Sequence, residues 1–292
     1  MKYYSLIFII CCYSACSGTK LVAKKTSEIS KTENDTMGYK NEPVKLIPYK
    51  TTQEITKTKL DETSTEKPVK FNQALTKRFI ETHQLWDDLL RKHVTNSGLV
   101  NYLTFKEDRK SLTTYITLLS QKLPDDNWPK EDKLAYWINA YNAMTIDLIL
   151  RNYPVNSIKD IKDPWKQRLW KLGHKWYNLE DIEHQILRKM NEPRIHFAIV
   201  CASYSCPKLL NKAYTASKLE LQLTNATRDF LIDKNRNNIT ANNLELSKIF
   251  QWFSKDFKQD GSLIDFLNKY STIKISNKAK MSFNDYNWSL NE

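Results

Sequence analysis

The sequence predicts an α+β fold: a single, mostly helical domain with a small antiparallel sheet, preceded by a signal peptide and a disordered tether. Three observations carry that expectation. All eight Trp lie within residues 71–292. Residues 17–70 hold ten Thr, eleven Lys and eight acidic residues but no Trp or Phe, too little apolar surface to offset the entropy of ordering. Beyond residue 70, apolar residues recur mostly at helical spacing, and only short runs have strand character.

The first segment, MKYYSLIFIICCYSAC, has Lys2 as a minimal basic start, then a short apolar run, then Ser14-Ala15 before Cys16. That is the layout of a secretory signal, and the run is shorter than the roughly 20 apolar residues a membrane span needs. Its ending resembles a bacterial lipoprotein signal, cut before Cys16, which would then carry the lipid. The alternatives are an ordinary signal peptide cut elsewhere or a buried N-terminal strand. The lipoprotein reading places the protein in the cell envelope, lipid-anchored to the outer membrane and facing periplasm or surface, with 16–70 as the tether.

In the domain, Leu75, Phe79, Trp86, Leu89 and Leu90 predict a helix over 71–93. Gly98 to Phe105 reads as a turn and a short extended piece, and a second helix spans about 111–122. Pro129, followed by Glu131 and Asp132, opens a third helix that runs to about Asn152 and is stopped by Pro154. Residues 168–179 suit a hairpin around Gly173. Asn178 caps a helix from Leu179 to Met190. Arg194 to Cys201, rich in β-branched and aromatic residues, reads as a strand. Helices near 217–232, 248–258 and 262–270 follow, and 273–288 looks extended.

Composition excludes some chemistry. The five Gly are scattered, whereas dinucleotide and P-loop motifs need glycines close together at the phosphate. The net charge of +12 divides into +1 at Lys2, +3 over 17–70 and +8 over 71–292. A surface at +8 can meet anionic envelope polymers, lipid head groups or a protein partner. Nucleic acid is not an expected partner outside the cytoplasm.

The reactive side chains concentrate in one stretch. His184, His196, Cys201 and Cys206 fall within 23 residues, beside Glu183 and Arg188. Three chemistries compete there: a Cys201–Cys206 disulfide, favoured by export; a thiol nucleophile with a His base; and a two-His, two-Cys zinc site. The last has no standard spacing, so no cofactor is expected and zinc is a minor possibility. If 194–201 is a strand, Cys201 points away from His196 into apolar company. Cys206, beyond the turn, is then the freer nucleophile. On the third helix Asn139 and Asn142 share a face; they are either polar anchors or donors to an oxyanion. Trp252 and Asp256 share a face of the 248–258 helix, as a sugar or peptide contact or as helix packing.

Six motifs resemble the bacterial and plant family called domain of unknown function 547. They are Tyr-Trp-Ile-Asn-Ala-Tyr-Asn (136–142), Leu-Glu-Asp-Ile-Glu-His with Ile-Leu-Arg (179–188), Pro-Arg-Ile-His-Phe-Ala (193–198), Cys-Ala-Ser-Tyr-Ser-Cys-Pro (201–207), Ser-Lys-Ile-Phe-Gln-Trp-Phe (247–253) and Tyr-Asn-Trp-Ser-Leu-Asn (286–291). Phe253 and Asn287 stand where the family usually has Tyr and Asp. The resemblance implies a stand-alone envelope protein with a shared polar site at Asn139, Tyr141, Asn142, Glu183, His184, Arg188, His196, Cys201, Ser203 and Cys206. Two functional readings follow. One is a binding or scaffold lipoprotein for an anionic envelope component or a protein partner, with the Cys pair as a staple. The other is a cysteine hydrolase or transferase acting on an envelope peptide, amide or ester. In it Cys206 or Cys201 is the nucleophile, His184 or His196 the base, Glu183 orients a ring and the Asn pair stabilises the oxyanion.

Overall fold

A computed structural model describes residues 82–292 together with Lys77. The expected signal, Cys16, the expected tether and the start of the expected first helix lie outside the described residues. The fold is α+β as expected, with helices dominating and two small sheets.

Helix α1 runs through 82–93. The chain then turns at Gly98, whose φ of +86° only glycine adopts readily and where a Cβ would collide with Lys208. The expected extended piece ends at Asn101, because its side chain accepts from the Thr104 N–H at 3.0 Å and starts α2, Tyr102–Glu107. Helices α3 (Arg109–Gln121) and α4 (Lys130–Asn152) follow. Eighteen α4 side chains are buried, which makes it the central rod of the main core. A helix buried all round shows only a weak amphipathic stripe, so its flanking prolines mark it better than its periodicity does.

The hairpin β1 (Trp170–Leu172) and β2 (Lys175–Tyr177) turns at Gly173, with φ of +58°. Asp147 of α4 holds it, accepting from Trp170 Nε1 at 2.8 Å and from Arg151 Nε at 2.7 Å. Asn178 accepts from the Asp181 N–H at 2.7 Å, as a cap should. The helical segment it opens widens to a π-turn over Asp181–Ile186 and tightens to 3₁₀ over Leu187–Met190. Such irregular turns often mark functional positions.

The expected strand over 194–201 is instead a 3₁₀ helix, Pro193–Phe197, started by Pro193 and capped where Glu192 accepts from the Arg194 N–H. Its apolar richness reflects burial on several sides. Ile195 packs into the main core and Phe197 into a second cluster, while His196 meets Asp256.

That second cluster is built by α5 (Leu219–Ile232), β3 (Asn238–Ile239), β4 (Asn243–Leu246), β5 (Lys280–Phe283), α6 (Lys248–Trp252) and α7 (Leu263–Tyr270). β3 and β4 pair antiparallel, and β4 and β5 pair parallel. Ser262 and Asp265 form a reciprocal capping box on α7. The expected 248–258 helix breaks after Trp252 and resumes as a short 3₁₀ turn, Asp256–Lys258.

The last residues stitch distant loops together. Asn291 donates its N–H to Ala202 O at 3.2 Å and accepts from Val100 N at 2.8 Å, and its side chain accepts from the Tyr102 hydroxyl at 2.7 Å. Leu290 N reaches Asn156 O at 3.0 Å, and Tyr204 N reaches Ser289 O at 2.7 Å. Among the described residues no helix is long and apolar enough to cross a membrane.

Candidate functional site

A cleft of about 680 Å³ gathers much of the chemistry-bearing stretch. Its lining includes Tyr141, Glu183, His184, His196, Cys201, Cys206 and Trp252. Four aromatic side chains, Trp165, Trp252, Tyr286 and Trp288, form one wall. Their rings pack on one another: Tyr286 lies 4.8 Å from Trp252 and 4.6 Å from Trp288, and Trp288 lies 6.0 Å from Trp165. Trp252 remains 46% exposed.

Behind the two imidazoles sits one ionic cluster. Arg188 clamps Asp256 bidentately at 2.6 and 2.8 Å. His196 Nε2 donates to the same carboxylate at 2.8 Å, and its ring stacks on Phe253 at 3.9 Å. Burial alone would raise the Asp256 carboxyl, but the hydrogen bonds from Arg188 and His196 outweigh it and hold it well below the usual range. Arg188 also donates to His184 Nδ1 at 3.0 Å. A guanidinium can only donate, so the His184 ring hydrogen sits on Nε2. Tyr141 donates to Glu183 Oε2 at 3.0 Å. Burial first, and then the Glu183 charge, push the Tyr141 phenol far up, so it serves as a donor and not as a nucleophile.

The sulfurs of Cys201 and Cys206 stand at disulfide distance, with Cα atoms 6.4 Å apart. Both line the cleft, and so does His196. The expected opposition of Cys201 and His196 therefore fails, because the 3₁₀ helix ends at Phe197 and the chain then turns through Ala198 and Ile199, with no strand alternation. The expected freedom of Cys206 is also reversed: it is buried, whereas Cys201 is half-buried. Ser203 Oγ and the Tyr286 hydroxyl bridge the sulfurs at 3.1–3.3 Å.

Asn139 and Asn142 lie outside the cleft lining. Asn139 exchanges two hydrogen bonds with the Tyr214 backbone, both 2.9 Å. Asn142 donates to Ala198 O at 2.9 Å and accepts from Val200 N at 3.0 Å. Their amides pin loops to α4 and are committed to backbone groups, which leaves them no reach toward an oxyanion. Trp252 and Asp256 part company where the helix breaks, one to the aromatic wall and the other to the ionic cluster. Among the described residues no group of three or more His, Cys, Asp or Glu is placed to hold a metal ion.

The sequence alone marks no site role for four participants: Trp165, Tyr286, Trp288 and Arg236. Arg236 donates to Cys206 O at 2.9 Å and to Tyr204 O, fixing the cysteine loop. Trp165 follows Pro164 in a connector with no periodic partner. An aromatic there has no helix or strand face to bury it, and that was its available signal.

The fold and site thus define an α+β domain with a cysteine pair in an aromatic-walled cleft. Residues 126–231 match the model of the family described as "Protein of unknown function, DUF547", and the chain carries a domain of that family. The match takes in α4, both histidines and both cysteines, and stops short of Trp252, Asp256 and Tyr286. No curated protein and no solved structure matches the chain.

Proposed function

We propose that the protein is a binding module, held in the cell envelope by a lipid on Cys16, whose cleft takes a ring-bearing envelope polymer of the glycan class. The observation that supports it is the wall of Trp165, Trp252, Tyr286 and Trp288 standing over polar groups. Aromatic faces accept the apolar C–H face of a sugar ring, while Glu183 and the His184 Nε2–H offer an acceptor and a donor to its hydroxyl edge. An adjoining hollow shares Trp165, Glu183 and His184 and adds Lys159, Lys162 and Lys166. These lysines can meet acid groups on the polymer. Asp163 and Glu180 also line the hollow, so selectivity falls on ring and charge together and not on charge alone. Long-range attraction of an anionic polymer comes from the +8 of residues 71–292.

The test is a tryptophan-fluorescence titration with acidic and neutral oligosaccharides. Saturable binding, weakened about tenfold or more by Trp252→Ala, is expected; an unchanged Kd in that variant would remove the aromatic wall from the argument. For the anchor, Cys16→Ser is expected to release the protein to the soluble fraction, and continued membrane retention would refute lipidation there.

One observation favours a second reading, a thiol hydrolase or transferase: both sulfurs share the cleft with His184 and with His196, whose ring is held by Asp256. That chemistry needs a free thiolate. A Cys201–Cys206 bond that stays intact through turnover would rule it out.

A further inference from the structure

The two sulfurs at the cleft are not equivalent. Cys206 Sγ accepts from the Cys201 backbone N–H at 3.0 Å, and the hydroxyls of Ser203 and Tyr286 lie 3.3 and 3.2 Å from it. The same hydroxyls also reach Cys201 Sγ, at 3.1 and 3.3 Å, but the N–H serves Cys206. When Cys206 carries a negative charge, both hydroxyls can turn their protons to it. Burial pushes the Tyr286 phenol up to about 12, so it keeps that proton at neutral pH.

The loop is held so that these donors stay put if Cys201 departs. Ala202 is fully buried with φ of +57°, a strained conformation for a residue with a Cβ. Asn291 and Ser289 bond the backbone on either side of Ser203. Arg236 grips the Cys206 and Tyr204 carbonyls and sets a cation beside the loop.

We propose that Cys201–Cys206 is a thiol–disulfide exchange site, with Cys201 the sulfur attacked and Cys206 the sulfur released. This goes beyond the binding reading and stands without it. An incoming thiolate forms an S–S bond to Cys201 Sγ, the Cys201–Cys206 bond breaks, and its electron pair leaves on Cys206 as a thiolate held by three donors. A second thiolate of the same class then attacks the mixed disulfide on the substrate sulfur. This frees Cys201 as thiolate and yields the oxidised substrate disulfide. The substrate thiols lose two electrons and the protein pair gains them, so no further oxidant enters. Exchange is faster when the leaving thiolate is stabilised, and access favours the half-buried Cys201 over the buried Cys206.

The oxidised full chain is incubated with glutathione, quenched with acid and alkylated, and the adduct is located by fragmenting the peptide that carries both cysteines. Glutathione on Cys201 with an alkylated Cys206 is expected. A second arm uses a reduced two-cysteine peptide: exchange there as well marks peptide thiols as substrates, and exchange with glutathione alone marks low-mass thiols. Tyr286→Phe, which keeps the ring packing, is expected to slow exchange about tenfold through loss of one hydrogen bond to a charged group; Ser203→Ala is expected to act in the same direction. Glutathione on Cys206, equal labelling of both sulfurs, no exchange at all, or an unchanged rate in Tyr286→Phe with native circular dichroism would each overturn the proposal. If Ser203→Ala does not fold, the adduct position in the unaltered chain still decides. Loss of glycan binding in Trp252→Ala with exchange intact would separate the two functions.

Discussion

Two histidine–aspartate pairs in this molecule look alike. His93 Nε2 and His196 Nε2 each lie 2.8 Å from an aspartate oxygen, of Asp108 and Asp256 respectively. Each ring stacks on a phenylalanine, Phe105 at 4.5 Å and Phe253 at 3.9 Å. Their surroundings differ. His93 spends its other nitrogen on Thr104 Oγ1 at 3.0 Å, and Asp108 shares its charge with Lys92 at the surface. That pair is a joint between α1 and the α2–α3 turn. His196 forms part of a cleft wall, and Asp256 is clamped by Arg188, which in turn sets the His184 tautomer. The pair geometry alone does not distinguish a joint from a site; what each ring has left over does.

The largest expected effect separates the two carboxylates. Asp256→Asn leaves the Arg188 guanidinium without its charge partner and is expected to cost about 2–4 kcal/mol in urea denaturation. Asp108→Asn, whose lysine partner is solvated, is expected to cost about 1 kcal/mol or less. Equal losses would erase the distinction. Next, Asn142→Ala leaves the Ala198 carbonyl and Val200 N–H buried without their partner. It is expected to cost about 2–3 kcal/mol, and hydrogen exchange should loosen around residues 198–200 while the 93–108 region stays protected. Uniform loosening would mean that Asn142 supports the whole core.

Acid provides a subtler comparison. A carboxyl whose folded pKa lies below its unfolded value, about 4, contributes stability above that pH and loses it as pH falls through the folded value. Both aspartates are lowered, Asp108 chiefly by Lys92 and Asp256 by Arg188 and His196 against its burial. Stability below about pH 4 is therefore expected to fall less steeply in Asp256→Asn than in the unaltered chain, and parallel curves would show the clamp to be energetically silent. The smallest stability effect is expected at Trp252→Ala, within about 1 kcal/mol because nearly half of the side chain is exposed; a larger loss would recast the aromatic wall as core.

The sequence disclosed elements that carry their own punctuation. Pro129 and Pro154 bracket α4, Asn178 and Ser262 cap their helices, and Gly173 turns its hairpin, all from local chemistry. It misled at 194–201, where Ile195, His196 and Phe197 are each apolar or aromatic because three different neighbours surround them; a local pattern cannot tell that from a strand. The clustering of Glu183, His184, His196 and the cysteines was legible because they are close along the chain. Tyr286 was not assigned a role, since it meets Ser203 across 83 residues and no local spacing encodes that contact. The role of Asn139 and Asn142 depends on which backbone lies opposite them, and only the packed fold supplies that.

The stitching by residues 289–291 has a consequence in time. A ribosome delivers Cys201 and Cys206 well before Tyr286 and the residues that fasten the cysteine loop. Until those emerge, Cys206 lacks the Tyr286 hydroxyl and the loop lacks its bonds to Ser289 and Asn291. A nascent or clipped chain lacking that stretch would hold an unfinished cleft and would also lose Leu290 from the core around α4. Emergence of residues 286–291 thus brings the Tyr286 hydroxyl to Cys206 and fastens the loop on either side of Ser203.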